Sequence, residues 1–284
     1  MPKTAAPNTP DISPQQAQDF IAIAHQLADA ARTQTLAKFR PDGGIAAANK
    51  LSAGFDPVTE ADQASERAMR EILAQLRPQD GIYGEELGKS WGQSGLTWVL
   101  DPIDGTRGFM AGTPTWGVLI GLAQSDGATL GAPVFGMVDQ PYIGERFWGG
   151  FGQARMTGPH GGRELRARAA QQASETLSDA VVFTTFPEVG TLEERALFER
   201  VSGAAKLTRY GMDCYAYALL ALGQIDLVIE AQLQPYDIQG PMAVVEAAGG
   251  IVTNWQGGPA HLGGQVIAAA NPQVHRAALA LMAQ

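Results

Sequence analysis

Apolar residues recur at helical spacing in two stretches near the start of the chain. Residues 13–16 read Ser-Pro-Gln-Gln, which combines a capping-box pair with a proline at the first helical position. The apolar stripe that follows predicts a helix ending before the Pro-Asp-Gly-Gly turn at residues 41–44. A second stripe predicts a helix from Thr59 to about Leu76, because Pro78 cannot continue it.

From residue 81 the pattern changes to short apolar runs, which are typical of strands. The runs at residues 81–84 and 98–100 are each followed directly by acidic side chains. Three further runs, at residues 118–122, 132–138 and 146–148, are separated by turn residues. These three predict a meander of antiparallel strands.

The remainder of the chain alternates between the two kinds of pattern. The predicted strands cover residues 180–184, 227–230, 251–253 and 266–269, and the predicted helices cover residues 192–201, 214–222, 240–248 and 272–282. A meander followed by alternating elements indicates an α+β region that merges into an α/β region, with helices covering the sheet faces.

The glycine-rich residues 149–162 fall where the pattern changes, and we interpret them as a break between subdomains. We expect a flexible N-terminal tail over residues 1–12 and an α+β subdomain over residues 13–152. An α/β subdomain over residues 153–284 would then complete the functional site.

Composition narrows the class of protein. The 284 residues are 45% hydrophobic, which is enough for a sizeable core. A net charge of -9 disfavours a general binder of nucleic-acid phosphates. No stretch approaches the roughly 20 apolar residues of a membrane helix, and the polar N-terminus lacks a hydrophobic signal core. We therefore expect a cytoplasmic protein without nucleic-acid or membrane partners, whose single cysteine, Cys214, is buried in the core.

Two carboxylates, Asp101 and Asp104, follow the apolar run at residues 98–100. Open α/β sheets bind ligands just beyond their strand ends, and two adjacent carboxylates repel each other unless a cation lies between them. Gly105 lets the backbone approach a ligand closely, and Thr106 offers both an N–H and a hydroxyl. The segment therefore predicts a site for a hard divalent cation and a phosphate group.

Four other acids stand at element ends, and each has a structural alternative. Asp62 completes a capping box with Thr59, and Asp237 would cap a helix that begins near residue 240. Glu85 and Glu86 would form a solvated loop end. The four histidines show no ligand spacing, which disfavours a zinc site, so oxygen ligands favour Mg²⁺.

Three motifs together resemble the signatures of the inositol monophosphatase family. They are Gly-Glu-Glu at residues 84–86, Asp-Pro-Ile-Asp-Gly-Thr at residues 101–106, and Pro-Tyr-Asp at residues 235–237 followed by Glu-Ala-Ala-Gly-Gly at residues 246–250. Their order and separations match from about residue 15 to the C-terminus. The resemblance implies a layered α-β-α-β-α fold and a Mg²⁺-dependent, lithium-sensitive phosphomonoesterase that forms a homodimer.

The resemblance also implies roles for individual residues. The implied ligands of two or three Mg²⁺ ions, with Mn²⁺ as an alternative, are Glu85, Asp101, the backbone carbonyl of Ile103, Asp104 and Asp237. Asp62 and Thr106 match positions that orient the attacking water, and Glu86 matches an acid with a supporting role. The N–H groups of Gly105 and Thr106, expected at the start of a short helix, would hold phosphate oxygens.

Within the family, the chain resembles the histidinol-phosphatase branch. Arg107 stands where inositol phosphatases usually have asparagine, and residues 113–117, 209–217 and 226–238 are similar to that branch. The chain departs from the branch at a few positions, none of them an implied metal ligand: Met212, Gln234, Gly240 and Pro241.

Histidinol phosphate carries an ammonium group and an imidazole, so its recognition is expected to use acids. Asp213 and Glu230 match family positions that contact the leaving alcohol; their structural alternatives are a helix N-cap and a strand-end charge. Arg107 and Arg209 would contact phosphate or pair with acids. The expected substrate-binding residues are Gly105, Thr106, Arg107, Arg209, Asp213 and Glu230.

Two other functions stay open at this point. The first is that the chain is an inositol, sugar or nucleotide phosphatase of the same family. The second is that it is a binding homologue without activity. Arg107 and Asp213 weigh against the inositol phosphatase, and the lack of a basic or aromatic base-binding segment weighs against the nucleotide enzyme. The inactive homologue is disfavoured because every implied metal ligand is present.

Overall fold

The computed structural model describes residues 12–45, 48–49, 57–169 and 177–284. Residues 1–11 of the predicted tail lie outside the described residues. The helices are α1 (Pro14–Leu36), α2 (Glu60–Leu76), α3 (Thr106–Ala111), α4 (Leu192–Ala204), α5 (Tyr215–Ala221), α6 (Pro235–Ala247) and α7 (Pro272–Met282). None of these helices combines the length and apolarity that crossing a bilayer requires.

The described strands form two sheets and one short pair. The pair is β1 (Ala48–Asn49) with β2 (Pro57–Val58). The first sheet contains β3 (Gly81–Gly84), β4 (Gly88–Ser90), β5 (Leu96–Asp104), β6 (Gly117–Ser125), β7 (Leu130–Gln140), β8 (Glu145–Gly150), β9 (Gln153–Gly158) and β10 (Gly161–Glu164). The second contains β11 (Val181–Thr184), β12 (Leu207–Tyr210), β13 (Leu227–Leu233), β14 (Ile251–Thr253) and β15 (Gly264–Ala269).

The strand order in the first sheet is β10-β9-β8-β7-β6-β5-β3-β4, and only β3 and β5 run parallel. The order in the second sheet is β12-β11-β13-β15-β14, with β15 antiparallel to both of its neighbours. The predicted meander is therefore confirmed as β6, β7 and β8.

The two sheets alternate with three layers of helices. Helices α1 and α2 pack on the outer face of the first sheet, around buried Phe20, Leu27 and Trp98. Helices α5 and α6 lie between the sheets, in a core that includes Tyr217 and Val244. Helices α4 and α7 cover the far face of the second sheet. This order confirms the predicted α-β-α-β-α layers.

Local capping explains where the helices start. The Ser13 N–H donates to Oε1 of Gln16 at 2.9 Å, and the Gln16 N–H donates to Oγ of Ser13 at 3.3 Å. This capping box confirms the predicted start of α1. The start of α2 is confirmed in the same way by Thr59 and Asp62.

Three sequence predictions need correction. The strand predicted at residues 98–100 does not stop before the acids, because β5 continues to Asp104 with a bulge in its pairing to β6. The glycine-rich residues 149–162 contain β9 and the start of β10 rather than a break. The boundary placed between residues 152 and 153 therefore falls inside the first sheet, and the chain changes sheets after Glu164.

The third correction concerns α6, which begins at Pro235 rather than near residue 240. Gly240 and Pro241 are typical of a helix start, but here Pro241 lies inside the helix. Asp237 thus belongs to the first turn, where its Oδ2 accepts the Gln234 N–H at 2.7 Å.

Three glycines on neighbouring strands let α6 approach the first sheet closely. A Cβ on Gly121 of β6 would lie 3.0 Å from the Gln239 Cβ, and a Cβ on Gly149 of β8 would lie 2.7 Å from the Ala247 Cβ. Gly136 of β7 faces the α6 backbone in the same way. Because larger residues would push α6 outward, this glycine row fixes the spacing between α6 and the sheet.

Candidate active site

The predicted acids meet where four elements converge. They lie at the end of β5, in the first turns of α2 and α6, and in the turn between β3 and β4. A cleft of about 690 Å³ opens here between segments of the two sheets. The predicted site residues that line it are Glu85, Asp104, Gly105, Thr106, Arg107, Asp213, Glu230 and Asp237.

Asp101, Asp104 and Asp237 form the centre of the site. One carboxylate oxygen from each lies within 4.8 Å of the other two. Oxygen-only ligands at this separation suit a hard cation, because metal–oxygen distances of about 2.0–2.6 Å place opposing ligands about 4–5 Å apart. The donor set and its spacing therefore fit a hard divalent cation.

Electrostatics favour a cation at the same place. Burial raises the pKa of Asp101 well above its usual range, and the charges of Glu85, Asp104 and Asp237 raise it further. Burial also raises the pKa of Asp104, as do the charges of Asp213 and Asp237. The Cys214 N–H, which donates to Oδ2 of Asp104 at 2.6 Å, opposes this rise. The mutual repulsion of these carboxylates therefore favours a cation among them.

Asp62 caps α2, which is the structural alternative that its sequence position predicted. Its Oδ2 accepts the N–H and the hydroxyl of Thr59 at 2.9 and 2.5 Å, which completes the cap of α2. Its Oδ1 lies 3.5 Å from the Thr106 hydroxyl, which also donates to the Ile103 carbonyl at 3.1 Å. Burial raises the pKa of Asp62 although the Thr59 hydrogen bonds lower it. The structure thus brings Asp62, Ile103 and Thr106 together.

Gly105 allows the chain to turn from β5 into α3. Its φ of 86° is left-handed, and α3 begins at the next residue as expected. A Cβ at this position would lie 2.9 Å from Oδ2 of Asp213. Only glycine therefore combines the turn with the close approach of Asp213.

Asp213 and Glu230 form an acidic wall beside the central cluster. Glu230 is buried, and its carboxylate accepts hydrogen bonds from the Thr185 hydroxyl at 2.5 Å and the Tyr217 hydroxyl at 2.8 Å. Burial raises the pKa of Asp213 to about 7; the charge of Glu230 adds to the rise and that of Arg107 opposes it. Asp213 does not cap α5, whose N-cap is the buried Cys214.

The two predicted arginines lie in different places. The Arg107 guanidinium lies 4.8 Å from the centre of the Phe186 ring, at the mouth of the cleft. Arg209 is exposed on the edge strand β12, and the lining of the cleft does not include it. The structure therefore places Arg107, but not Arg209, beside the acids.

Sequence reasoning missed three residues that form hydrogen bonds with predicted site residues or with the backbone beside them. Thr185 and Tyr217 bind Glu230 across the fold, and no local pattern connects them to it. Glu66 on α2 binds the backbone that follows Glu85. Its position one helical turn after Asp62 is a signal that could have identified it.

Comparisons with known proteins agree with this geometry. A model of the inositol monophosphatase family matches residues 16–284. The chain is 39% identical to "Bifunctional phosphatase IMPL2, chloroplastic" of Arabidopsis thaliana, over 88% of this chain and 70% of that one. It is 34% identical to a histidinol-phosphatase of Streptomyces coelicolor, over 90% and 94%. It is 30% identical to the inositol-1-monophosphatase ImpA of Mycolicibacterium smegmatis, over 96% and 95%.

The fold is also found among solved structures. An inositol monophosphatase from Zymomonas mobilis superposes with a TM-score of 0.79 at 37% identity, over 94% of this chain and 98% of that one. Together with the family match over residues 16–284, this similarity shows that the chain belongs to the inositol monophosphatase family of phosphatases.

Proposed function

We propose that the protein is a Mg²⁺-dependent phosphomonoesterase that hydrolyses L-histidinol phosphate to L-histidinol and phosphate. The observation that carries the substrate assignment is the acidic wall of Asp213 and Glu230, which lies beside the carboxylate cluster in the same cleft. A cationic leaving alcohol suits such a wall better than a neutral polyol does.

The metal ligands in this proposal are Glu85, Asp101, the Ile103 carbonyl, Asp104 and Asp237. Bound Mg²⁺ ions would neutralise the phosphoryl oxygens and lower the pKa of a coordinated water. Asp101, Asp104 and Asp237 each bring one carboxylate oxygen within 4.8 Å of the other two, which supports their use as ligands. Glu86 has a supporting role in the turn that carries Glu85.

Asp62 and Thr106 would orient the attacking water. The Thr106 hydroxyl lies between the Ile103 carbonyl and the Asp62 carboxylate, so it is fixed at the end of β5. Because the pKa of Asp62 is raised, this carboxylate is suited to accept a proton from the water. The N–H groups of Gly105 and Thr106 would hold phosphate oxygens.

Beside the carboxylate cluster, Asp213 and Glu230 would bind the ammonium and imidazole groups. Glu230 is held by Thr185 and Tyr217, so it faces the cleft with little freedom to turn away. Arg107 would contact the phosphate from the cleft mouth. A bound cationic substrate would lower the pKa of Asp213 from about 7. The ionised carboxylate would then pair with the positive charge of the substrate.

A substrate panel tests the proposal directly. We expect kcat/KM for L-histidinol phosphate to exceed that for inositol 1-phosphate by at least about tenfold, as one additional ion pair in a partly buried site predicts. Phosphate release with Mg²⁺ measures both. A higher value for inositol 1-phosphate would make the protein an inositol phosphatase, the function named for several relatives.

The acidic wall can be tested separately with Asp213→Asn. Asparagine tolerates the left-handed backbone of this residue (φ 46°), so the substitution removes charge without straining the chain. We expect KM for histidinol phosphate to rise about tenfold and KM for glycerol 2-phosphate to change less than about twofold.

Glu188→Gln is the matched control, because Glu188 also lines the cleft but is exposed at its rim. Equal effects of Asp213→Asn on both substrates, or an equal effect of the control, would contradict the assignment.

The predicted homodimer and cytoplasmic location stay predictions.

A further inference from the structure

Glu66 is a buried carboxylate that the proposed chemistry does not use. It lies on α2, one turn after Asp62, and its side chain is inaccessible to solvent. Burial of a charged carboxylate is unfavourable unless hydrogen bonds replace its water. The hydrogen bonds that Glu66 accepts offset this unfavourable burial.

Three donors surround the Glu66 carboxylate. The Glu86 N–H donates to Oε2 at 2.7 Å and the Leu87 N–H donates to Oε1 at 3.2 Å. The Arg70 guanidinium donates to Oε1 at 2.7 Å. Two of the three donors therefore belong to the backbone of the turn between β3 and β4.

The same turn is held at both of its ends. Arg70 also donates to the Gly88 carbonyl, where β4 begins. At the other end, Gly84 has no side chain, and a Cβ there would overlap the Glu66 carboxylate. Glu66 and Arg70 thus fix the backbone from Gly84 to Gly88 against α2.

Glu85 lies in the turn that Glu66 and Arg70 hold, so these contacts position it. Its own N–H donates to the Leu100 carbonyl of β5 at 3.1 Å, and its charge acts on Asp101 and Asp62. The turn has three residues, of which Glu85 and Glu86 are half-buried and Leu87 is exposed, so packing alone does not hold it. Without Glu66, the N–H groups of Glu86 and Leu87, which follow Glu85, would lose their acceptors.

We infer that Glu66, oriented by Arg70, is a positioning residue that presents Glu85 to the metal site. The inference rests on the proposed role of Glu85 as a metal ligand. Glu66 itself is buried under the turn and does not line the cleft, so it acts through the backbone N–H groups of Glu86 and Leu87.

The test uses Glu66→Gln in the full chain and two measurements. Isothermal titration with MgCl₂ gives the Kd for Mg²⁺, and phosphate release gives kcat at saturating Mg²⁺ together with the Mg²⁺ concentration for half-maximal rate. We expect the Kd and the half-maximal concentration to rise about tenfold, the effect of losing one charge-assisted hydrogen bond. We expect kcat at saturating Mg²⁺ to stay within about twofold of the unsubstituted value.

Asp80→Asn is the matched control. Asp80 is also a buried carboxylate held by an arginine, since Arg77 donates to it at 2.7 Å, and the Trp98 indole donates to it at 3.0 Å. It follows the C-terminal end of α2 and does not line the cleft. We expect Asp80→Asn to lower Tm without changing the Kd for Mg²⁺.

Arg70→Met provides a second variant that leaves the carboxylate in place, and we expect it to weaken Mg²⁺ binding several-fold. An unchanged Kd in Glu66→Gln and Arg70→Met, with Tm lowered as in the control, would make Glu66 a purely structural residue. If the unsubstituted protein binds Mg²⁺ but hydrolyses no monoester, the proposed function fails while the titration still decides the role of Glu66.

Discussion

Asp104→Asn is expected to lower kcat by at least about a thousandfold while the protein stays folded. Asp104 contributes one of the three carboxylate oxygens of the central cluster, and an amide oxygen carries no charge with which to hold a divalent cation. A thousandfold loss corresponds to about 4 kcal/mol of transition-state stabilisation, which is within the range that metal ions supply.

The fold should survive this substitution for a specific reason. An asparagine oxygen can still accept the Cys214 N–H that Asp104 accepts at 2.6 Å. Removing one of several mutually repelling buried charges also relieves the cluster. Phosphate release at saturating Mg²⁺ measures the activity, and circular dichroism measures the fold.

Asp126→Asn is the control, because it is the same change in an exposed turn between β6 and β7. It should retain full activity. Near-normal activity of Asp104→Asn would remove Asp104 from the set of metal ligands.

The second large effect is expected from Mg²⁺ on thermal stability, and it should depend on pH. At a Mg²⁺ concentration of about 100 times Kd, binding stabilises the folded state by about 2.7 kcal/mol, or roughly 5–10 °C in Tm for a chain of this size. We expect this increase at pH 8 and less than half of it at pH 5.

The direction of this pH dependence follows from the buried acids. Asp101 and Asp104 have pKa values raised above the usual carboxyl range, so the metal-free folded protein keeps protons that the unfolded chain releases above about pH 4. Its stability therefore falls as the pH rises through the folded pKa values. Mg²⁺ replaces those protons, so its stabilising effect grows over the same range.

Differential scanning fluorimetry with Mg²⁺ or EDTA at each pH measures this effect. Asp104→Asn serves as the control and should show a small increase in Tm at both pH values. An increase in Tm that is the same at pH 5 and pH 8 would show that protons and Mg²⁺ do not compete at this cluster.

Local sequence signals predicted much of this fold and site. The capping boxes at Ser13 and Thr59 place α1 and α2 because each depends on residues three apart in the chain. The Asp101–Thr106 segment likewise carries three proposed ligands, a turn glycine and a hydroxyl within six residues. The structure brings these residues to Glu85 and Asp237 as the family resemblance implied.

The errors arose where contacts between distant segments decide the structure. The β5 strand continues past Asp101 because β6 pairs with it, and no residue near Asp101 encodes that pairing. Arg209 has the right type for a phosphate contact, but its strand lies at the edge of the second sheet. Glu230 was identified, whereas Thr185 and Tyr217 became visible only when the fold placed their hydroxyls against it.

The glycine row beneath α6 also has a consequence for ion selectivity. Asp237 belongs to α6 and Asp101 to β5, so the distance between these proposed ligands depends on how closely the helix packs on the sheet. Mg²⁺ and Ca²⁺ differ by only a few tenths of an ångström in their bonds to oxygen. Larger side chains at Gly121, Gly136 and Gly149 would displace α6 and change the separation of Asp101 and Asp237, on which a preference for Mg²⁺ over the larger Ca²⁺ would depend.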